Sequence, residues 1–294
     1  MDSVLYYFML MVSKIFCLLP HSAANFLGSA LGNLLWIVLP SKRRNLALGN
    51  IIRCLGVDDE EAVRIARQST VNLGLVLTEV LRFPVIKKNV DSYVTIEGKE
   101  HLDNVVKDGK GAVVISSHSD NWELLGGALA MKGFKFVGVA MKQKSDGANR
   151  FILEYRTMTG MHITYKNDVR EIYDLLKKGW LIGLIADQDV GRNDGIVMEF
   201  LGRPTNCVTG PATLARWGNT PIVPAFIHRN EDGTHKINLY PPITFAKTKD
   251  KREDIRHVTG EVNRAIEENI RRYPEEWFWL HDRWKSIREE LHLE

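Results

Sequence analysis

Several familiar organising features are missing from this 294-residue chain. It has 3 cysteines, Cys17, Cys54 and Cys207, an odd number at wide spacing with no C-x-x-C pair, so neither a disulfide framework nor a zinc site is implied and a reducing, cytosolic setting fits. The opening carries Asp2 in place of a basic n-region and no A-x-A site, so no cleaved signal peptide is expected. Neither sign of charge is in excess: 39 Lys and Arg against 36 Asp and Glu leave +3, too little to argue for nucleic acid as a partner. Internal repeats are lacking, and 45% hydrophobic residues give no hint of disorder. A globular chain remains, one large domain or two small ones, long enough for a substantial core.

The first forty residues differ in texture. Val4 to Val12 is unbroken apolar sequence, Ser13 and Lys14 interrupt, and Ile15 to Leu19 resumes up to Pro20. Ala23 to Leu39 follows without a charge, carries Asn25 and Asn33, and stops at Pro40. Each piece is marginal against the roughly 20 apolar residues of a bilayer span. Lys42, Arg43 and Arg44 come directly after, and basic residues near a membrane surface gain roughly 1 kcal/mol each from anionic lipid. The expectation is a membrane-associated segment, monotopic or singly anchored. A buried helical hairpin of a soluble protein fits the same residues.

Arg43 to Leu55 and Asp58 to Leu81 read as helices. The second opens on Asp58-Asp59-Glu60-Glu61, which suits a helix N-terminus. Its Val63, Ile65, Leu73, Val76, Leu77 and Leu81 form one broad apolar face. Pro84 ends this helical part. From Tyr93 strands and helices alternate, with strands over 93–96, 112–116, 134–140, 162–165 and 181–186. Helices are expected over 101–107, 122–131, 149–158 and 169–177, closed by Gly109, Gly133, Gly160 and Gly179. The predicted fold is α/β, a mixed sheet flanked by helices with a helical, membrane-associated N-terminal region. The expected divisions are 1–40, apolar and membrane-associating; 41–90, helical; and 91–294, the α/β core with C-terminal helices.

In such sheets the chemistry usually sits beyond the carboxyl ends of strands. Val113-Val114-Ile115-Ser116 is a buried strand that stops at Ser117-His118-Ser119-Asp120-Asn121-Trp122-Glu123. A histidine at a strand end with a glutamate in the next helical turn suits a general base and the carboxylate that orients it. A plainer reading stands beside it: Asp120 and Glu123 make a capping-box pattern that satisfies backbone donors. Leu181 to Ile185 likewise runs into Ala186-Asp187-Gln188-Asp189, polar groups that either bind a substrate or tie down a loop. Arg150 and Arg156 share one predicted helix. Thr209 is placed as an N-cap with Pro211 early in its helix. Near the end, Trp277, His281, Trp284 and Arg288 are expected on one helical face, as aromatic core closure or as a surface meeting lipid head groups.

Taken in order, these pieces resemble the bacterial lipid A biosynthesis acyltransferases, the lauroyl/myristoyl transferases of the wider glycerolipid acyltransferase superfamily. The resemblance runs through Leu19-Pro20, Leu31-Gly32, Arg43-Arg44 with Asn50, His118…Asn121-Trp122-Glu123, Asn149…Arg156…Gly160, Leu176-Lys177-Lys178-Gly179, Asp187-Gln188-Asp189, Phe200-Leu201-Gly202, and Trp277-x-Trp279-x-His281-x-Arg283-Trp284-Lys285. Two departures are Asp120, where the family usually has glycine, and Leu201, where it usually has phenylalanine.

The resemblance implies transfer of a fatty acyl chain from a thioester, of acyl carrier protein or else coenzyme A, to a hydroxyl of a membrane glycolipid such as a lipid A precursor. It implies His118 as base with Glu123 polarising it, without a covalent acyl-enzyme. Asn121, Trp122, Arg156, Asp187, Gln188 and Asp189 become substrate-binding candidates. No metal or other cofactor is implied. The implied location is the cytoplasmic face of the bacterial inner membrane, with Lys142, Lys144 or Arg150 available to an acidic donor protein. Alternatives are another glycolipid or lysophospholipid acceptor, a thioester hydrolase, and a non-catalytic lipid-binding scaffold.

Overall fold

The computed structural model describes residues 2–107, 109–191 and 194–290. Four helices come first: α1 (Asp2–Leu18), α2 (His21–Val38), α3 (Ser41–Leu55) and α4 (Asp59–Leu81). Pro20 and Pro40, which cannot donate a helical N–H, stand at the breaks before α2 and α3. Asp58 caps α4 by accepting the Glu61 N–H at 2.9 Å, ahead of the expected acidic first turn. Two single-turn helices, α5 (Phe83–Ile86) and α6 (Val90–Tyr93), lead into the α/β part.

Its elements are β1 (Val94–Glu97), α7 (Lys99–Val106), β2 (Ala112–Ser116), α8 (Trp122–Met131), β3 (Phe136–Ala140), α9 (Asp146–Thr157), β4 (His162–Tyr165), α10 (Val169–Lys177) and β5 (Leu181–Ile185). Then come β6 (Gly195–Phe200), β7 (Arg203–Val208), α11 (Gly210–Gly218), β8 (Ile222–Arg229), β9 (His235–Leu239), α12 (Lys251–Arg272) and α13 (Lys285–Glu290). Gly133 and Gly160 close α8 and α9 at φ of 94° and 91°, a conformation in which a β-carbon is strained.

Seven strands form one sheet in the order β1-β9-β8-β2-β5-β3-β4. Every pairing is parallel except β8 with β9, so the sheet is mixed, as expected. All five residues of β2 are buried, as a central strand covered on both faces must be. One core lies on each face. The first joins Ile51 of α3 and Ile65 of α4 to Val113, Ile182 and Ile266, so α3 and α4 share a core with the sheet they precede. The second joins Val114, Leu125, Phe136, Phe151 and Met161.

The C-terminal segment differs from the sequence expectation. Residues 277–284 form turns and an extended stretch rather than one helix, and α13 begins at Lys285. Trp277, Trp279 and Trp284 are each buried, because the segment crosses over the sheet's end and fills the core there. Among the described residues, no single helix is long and apolar enough to cross a membrane.

Candidate active site

The register of the central strands assembles the site. Ser116 of β2 lies beside Ile185 of β5 in a parallel pair, so His118 and Asp187, each two residues further on, emerge side by side. Asp187 takes both ends of His118: its Oδ1 lies 2.7 Å from His118 Nδ1, and its Oδ2 accepts the His118 backbone N–H at 2.9 Å. The Trp277 indole donates to the same Oδ2 at 2.7 Å, and the Phe278 N–H donates to the His118 carbonyl at 2.9 Å. The imidazole is thus fixed on one tautomer, with the proton on Nδ1, and among the described residues its one ring hydrogen bond is the one to Asp187, which leaves Nε2 free. Trp122 stands edge-on to the ring, centroids 5.0 Å apart.

Burial opposes charge on His118, but the Asp187 carboxylate, the hydrogen bond to it and nearby Glu123 outweigh burial and raise its pKa above the ordinary histidine value. For Asp187, burial would favour the neutral acid. The opposing imidazole and the donors from His118 and Trp277 win, and hold it down to about 2.

Glu123 does not touch the imidazole. Its carboxylate is bidentate with Arg156, Oε1 at 2.6 Å from Nη2 and Oε2 at 2.8 Å from Nε, and both side chains are 19% exposed. The side chain that meets the imidazole is therefore Asp187, 69 positions beyond His118, and not Glu123. The capping-box alternative is also replaced. Asn121 caps α8, accepting the Leu124 N–H at 2.9 Å, and the N–H groups of Trp122 and Glu123 are not taken by that cap.

Asp120 faces the other way. Its φ of 42° is the left-handed conformation that suits glycine, and Arg229 donates to its Oδ1 at 2.8 Å. Arg229 also holds Glu79 of α4, and His235 lies 3.5 Å from Glu79 and 3.4 Å from Asp120. Glu79 in turn accepts from Asn121 Nδ2 at 2.6 Å. Burial disfavours the charged form of Glu79, but His235 and Arg229 hold its pKa low, so a buried ionic cluster supports the loop from behind.

Of the expected substrate-binding residues, Trp122 and Arg156 line a cleft that reaches His118 through the Trp122 ring. Asn121 is fully buried in the ionic cluster, because the Glu79 carboxylate needs its amide. Asp189 turns to the C-terminal segment, accepting from the Ser286 N–H at 2.9 Å and the Ser286 hydroxyl at 2.7 Å. Gln188 is half-buried between these two anchors. Arg150 is exposed, bonded to Glu154 and stacked on Tyr6, away from the site. Trp277, read from sequence as core, is both core and hydrogen-bond donor to Asp187. Its indole N–H was the available signal, since a buried tryptophan needs an acceptor.

The cleft encloses about 540 Å³, open solvent at its mouth included, between α8 and the strands β2, β5, β3 and β4. The part-exposed Glu123 and Arg156 stand at its mouth, and the almost wholly buried Phe136 and Met161 line its apolar depth. Ser117 and Ser119 are buried and bonded to each other at 2.8 Å, which leaves neither placed as a nucleophile. Among the described residues no cluster of side chains has the arrangement of a metal site.

A family model described as bacterial lipid A biosynthesis acyltransferase matches residues 2–286. A phosphatidylinositol mannoside acyltransferase of Mycobacterium tuberculosis is 25% identical over 246 residues, 80% of this chain and 75% of that protein. A lipid A biosynthesis palmitoleoyltransferase of Escherichia coli is 23% identical over 279 residues, and a lipid A biosynthesis lauroyltransferase of the same organism 24% over 275, each covering 91% of this chain and 87% of the relative. The chain belongs to the bacterial lipid A biosynthesis acyltransferase family, and it is an enzyme of the acyltransferase type.

Proposed function

We propose that this acyltransferase moves a fatty acyl chain from a thioester, carried by acyl carrier protein or coenzyme A, to a hydroxyl of a membrane glycolipid, with His118 as general base. The observation that carries this reading is the imidazole pinned through Nδ1 to Asp187, its Nε2 without a partner among the described residues, and its ring against Trp122, which lines the neighbouring cleft. In the proposed reaction Nε2 takes the proton of the acceptor hydroxyl as its oxygen bonds to the thioester carbonyl carbon. The C–S bond then breaks, and the leaving thiolate takes the proton back from His118. Asp187 steadies the imidazolium that forms in between. The Trp122 and Glu123 N–H groups at the opening of α8 are suited to the developing oxyanion. Arg156, neutralised in part by Glu123, offers a charge contact at the mouth.

The acyl chain is assigned to the apolar part of the cleft, which Val114, Leu125, Phe136, Met161 and Ile163 line. A lipid A precursor and a phosphatidylinositol mannoside are both acceptors in keeping with the relatives' names, and the second is supported by the mycobacterial similarity. The membrane side is assigned to α1 and α2. Val4, Tyr7, Phe8, Met11, Ile15 and Leu18 of α1 are exposed, as are Phe26, Leu34 and Ile37 of α2. Contiguous apolar patches beyond a few hundred Å² are rare on proteins that meet only water. Lys42 and Arg43 follow as exposed cations, whereas Arg44 is engaged with the Trp36 carbonyl at 2.8 Å and with the Trp36 ring. Together these features support a location at the cytoplasmic face of the inner membrane.

The test is incubation of the detergent-solubilised protein with acyl carrier protein thioesters and, in separate reactions, an under-acylated lipid A precursor or a phosphatidylinositol mannoside. The product mass is measured. A gain of one acyl group on one acceptor, falling by about 10²–10⁴-fold in His118→Ala, is expected. Thioester loss without acceptor acylation would replace the reading with a hydrolase. Intact thioester in every reaction would favour a lipid-binding scaffold.

A further inference from the structure

The inner end of the cleft is built in an uncommon way. Gly126 of α8, Gly138 of β3 and Gly183 of β5 all line it, so β-carbons are missing from both the helix and the sheet. Phe136 and Met161 fill that space from the side. A β-carbon on Gly183 would lie 2.4 Å from Phe136 Cζ, and one on Gly126 would lie 3.0 Å from Phe136 Cε1. The Met161 sulfur stands 2.9 Å from the β-carbon position of Gly126 and 3.2 Å from that of Gly138. The ring is therefore sandwiched between helix and sheet, and the thioether sits between α8 and β3. Both side chains are almost wholly buried, at 3% and 6% exposure, yet both face the cleft.

We infer that Phe136 and Met161 form the end wall of the acyl site and set the length of chain this enzyme accepts, an inference that rests on the acyl-transfer reading above. The two contribute differently. The Phe136 ring is flat and wedged between α8 and β5, so it makes a fixed stop. Met161 is unbranched and adaptable, so it makes a yielding one that accommodates chains differing by a methylene or so. The glycines set the wall's position, because any side chain on Gly126 must push the thioether and ring toward the mouth. None of these three residues touches the reacting atoms; they select the substrate by excluded volume.

The test uses the full chain with a series of saturated acyl thioesters on one carrier, from octanoyl to stearoyl, competing in one reaction. Relative kcat/KM is read for each length. Met161→Ala is expected to move the optimum up by about two methylenes, and Gly126→Ala to move it down. Each methylene admitted or excluded changes relative kcat/KM about fourfold. Alanine is favoured over glycine in a helix, which keeps Gly126→Ala folded. An unchanged length profile in both variants, or a shift of both in the same direction, would overturn the inference. If the unsubstituted protein transfers no acyl chain, the same series is run as free fatty acids by titration calorimetry. Opposite shifts in binding preference would then uphold the end wall while the transfer reading fails, and no fatty-acid binding would overturn both.

Discussion

At the scale of residues, the sequence placed His118 at a strand end correctly but could not say which carboxylate meets it. Glu123 was near in the chain, whereas Asp187 is brought alongside only by the parallel register of β2 and β5. Arg156 settles where Glu123 goes, and that pairing depends on how α9 packs, which no local pattern encodes. Asp120 illustrates the same limit. It stands in a left-handed conformation, and its carboxylate is balanced by Arg229 from a distant strand. Removing Arg229 would leave Glu79 and Asp120 buried without their guanidinium. Arg229→Met is therefore expected to cost about 3–5 kcal/mol in chemical denaturation. Asp120→Gly, which relieves the backbone, loses the contacts with Arg229 and His235 and leaves Arg229 paired with Glu79, is expected to cost less than Arg229→Met, about 1–2 kcal/mol. Equal losses in the two variants would show that the cluster is not organised around Arg229.

At the scale of elements, the alternation of strands and helices from residue 93 to 186 was legible because apolar runs and helix-closing glycines punctuate it. The antiparallel β8–β9 pair and the separate β6–β7 hairpin were not read, and neither was the tryptophan-rich segment that crosses the sheet's end without becoming a helix. The spacing of Trp277, His281 and Trp284 fits a helical face, but burial of the three tryptophans of the segment against the core decides the backbone instead. The glycines of α2 have a clear role in the structure. Gly28 and Gly32 meet Gly74 of α4 so closely that a β-carbon on Gly32 would lie 2.4 Å from Val71 Cα. A backbone atom cannot turn aside as a side chain does. Gly32→Ala is expected to lower stability by about 1–3 kcal/mol or more, measured as a fall in thermal midpoint. An unchanged midpoint would mean that α2 slides on α4 without penalty.

At the scale of the whole molecule, α1 links the proposed lipid-facing surface to the helix that lines the cleft. Its Tyr6 donates to Glu154 at 2.6 Å and its Ser13 meets Tyr155, both on α9 immediately before Arg156. The outward face of α1 stays apolar while its inward face bonds to the helix that supplies the mouth of the cleft. Phe8→Glu combined with Phe26→Glu changes only exposed positions. This double variant is expected to reduce co-sedimentation with anionic phospholipid vesicles several-fold at unchanged thermal midpoint. Undiminished sedimentation would move the membrane-facing surface elsewhere.

The proposed transfer depends on His118 acting as a base whose proton affinity is raised by Asp187. Its pKa is raised in the folded protein, so the ion pair's contribution to stability is fully present below the unfolded value and is lost as pH rises through the folded one. Catalysis needs the neutral ring and so runs the opposite way, rising with pH. The most direct measurement is the pH dependence of single-turnover acyl transfer for the parent, Asp187→Asn and Glu123→Gln. The parent's acid limb is expected above the ordinary histidine value of about 6.5. In Asp187→Asn it should move down together with a large fall in the plateau, and in Glu123→Gln it should move less, since Glu123 acts on the ring only through space. An acid limb that stays in place in Asp187→Asn and moves in Glu123→Gln would return the orienting role to Glu123 and contradict the mechanism.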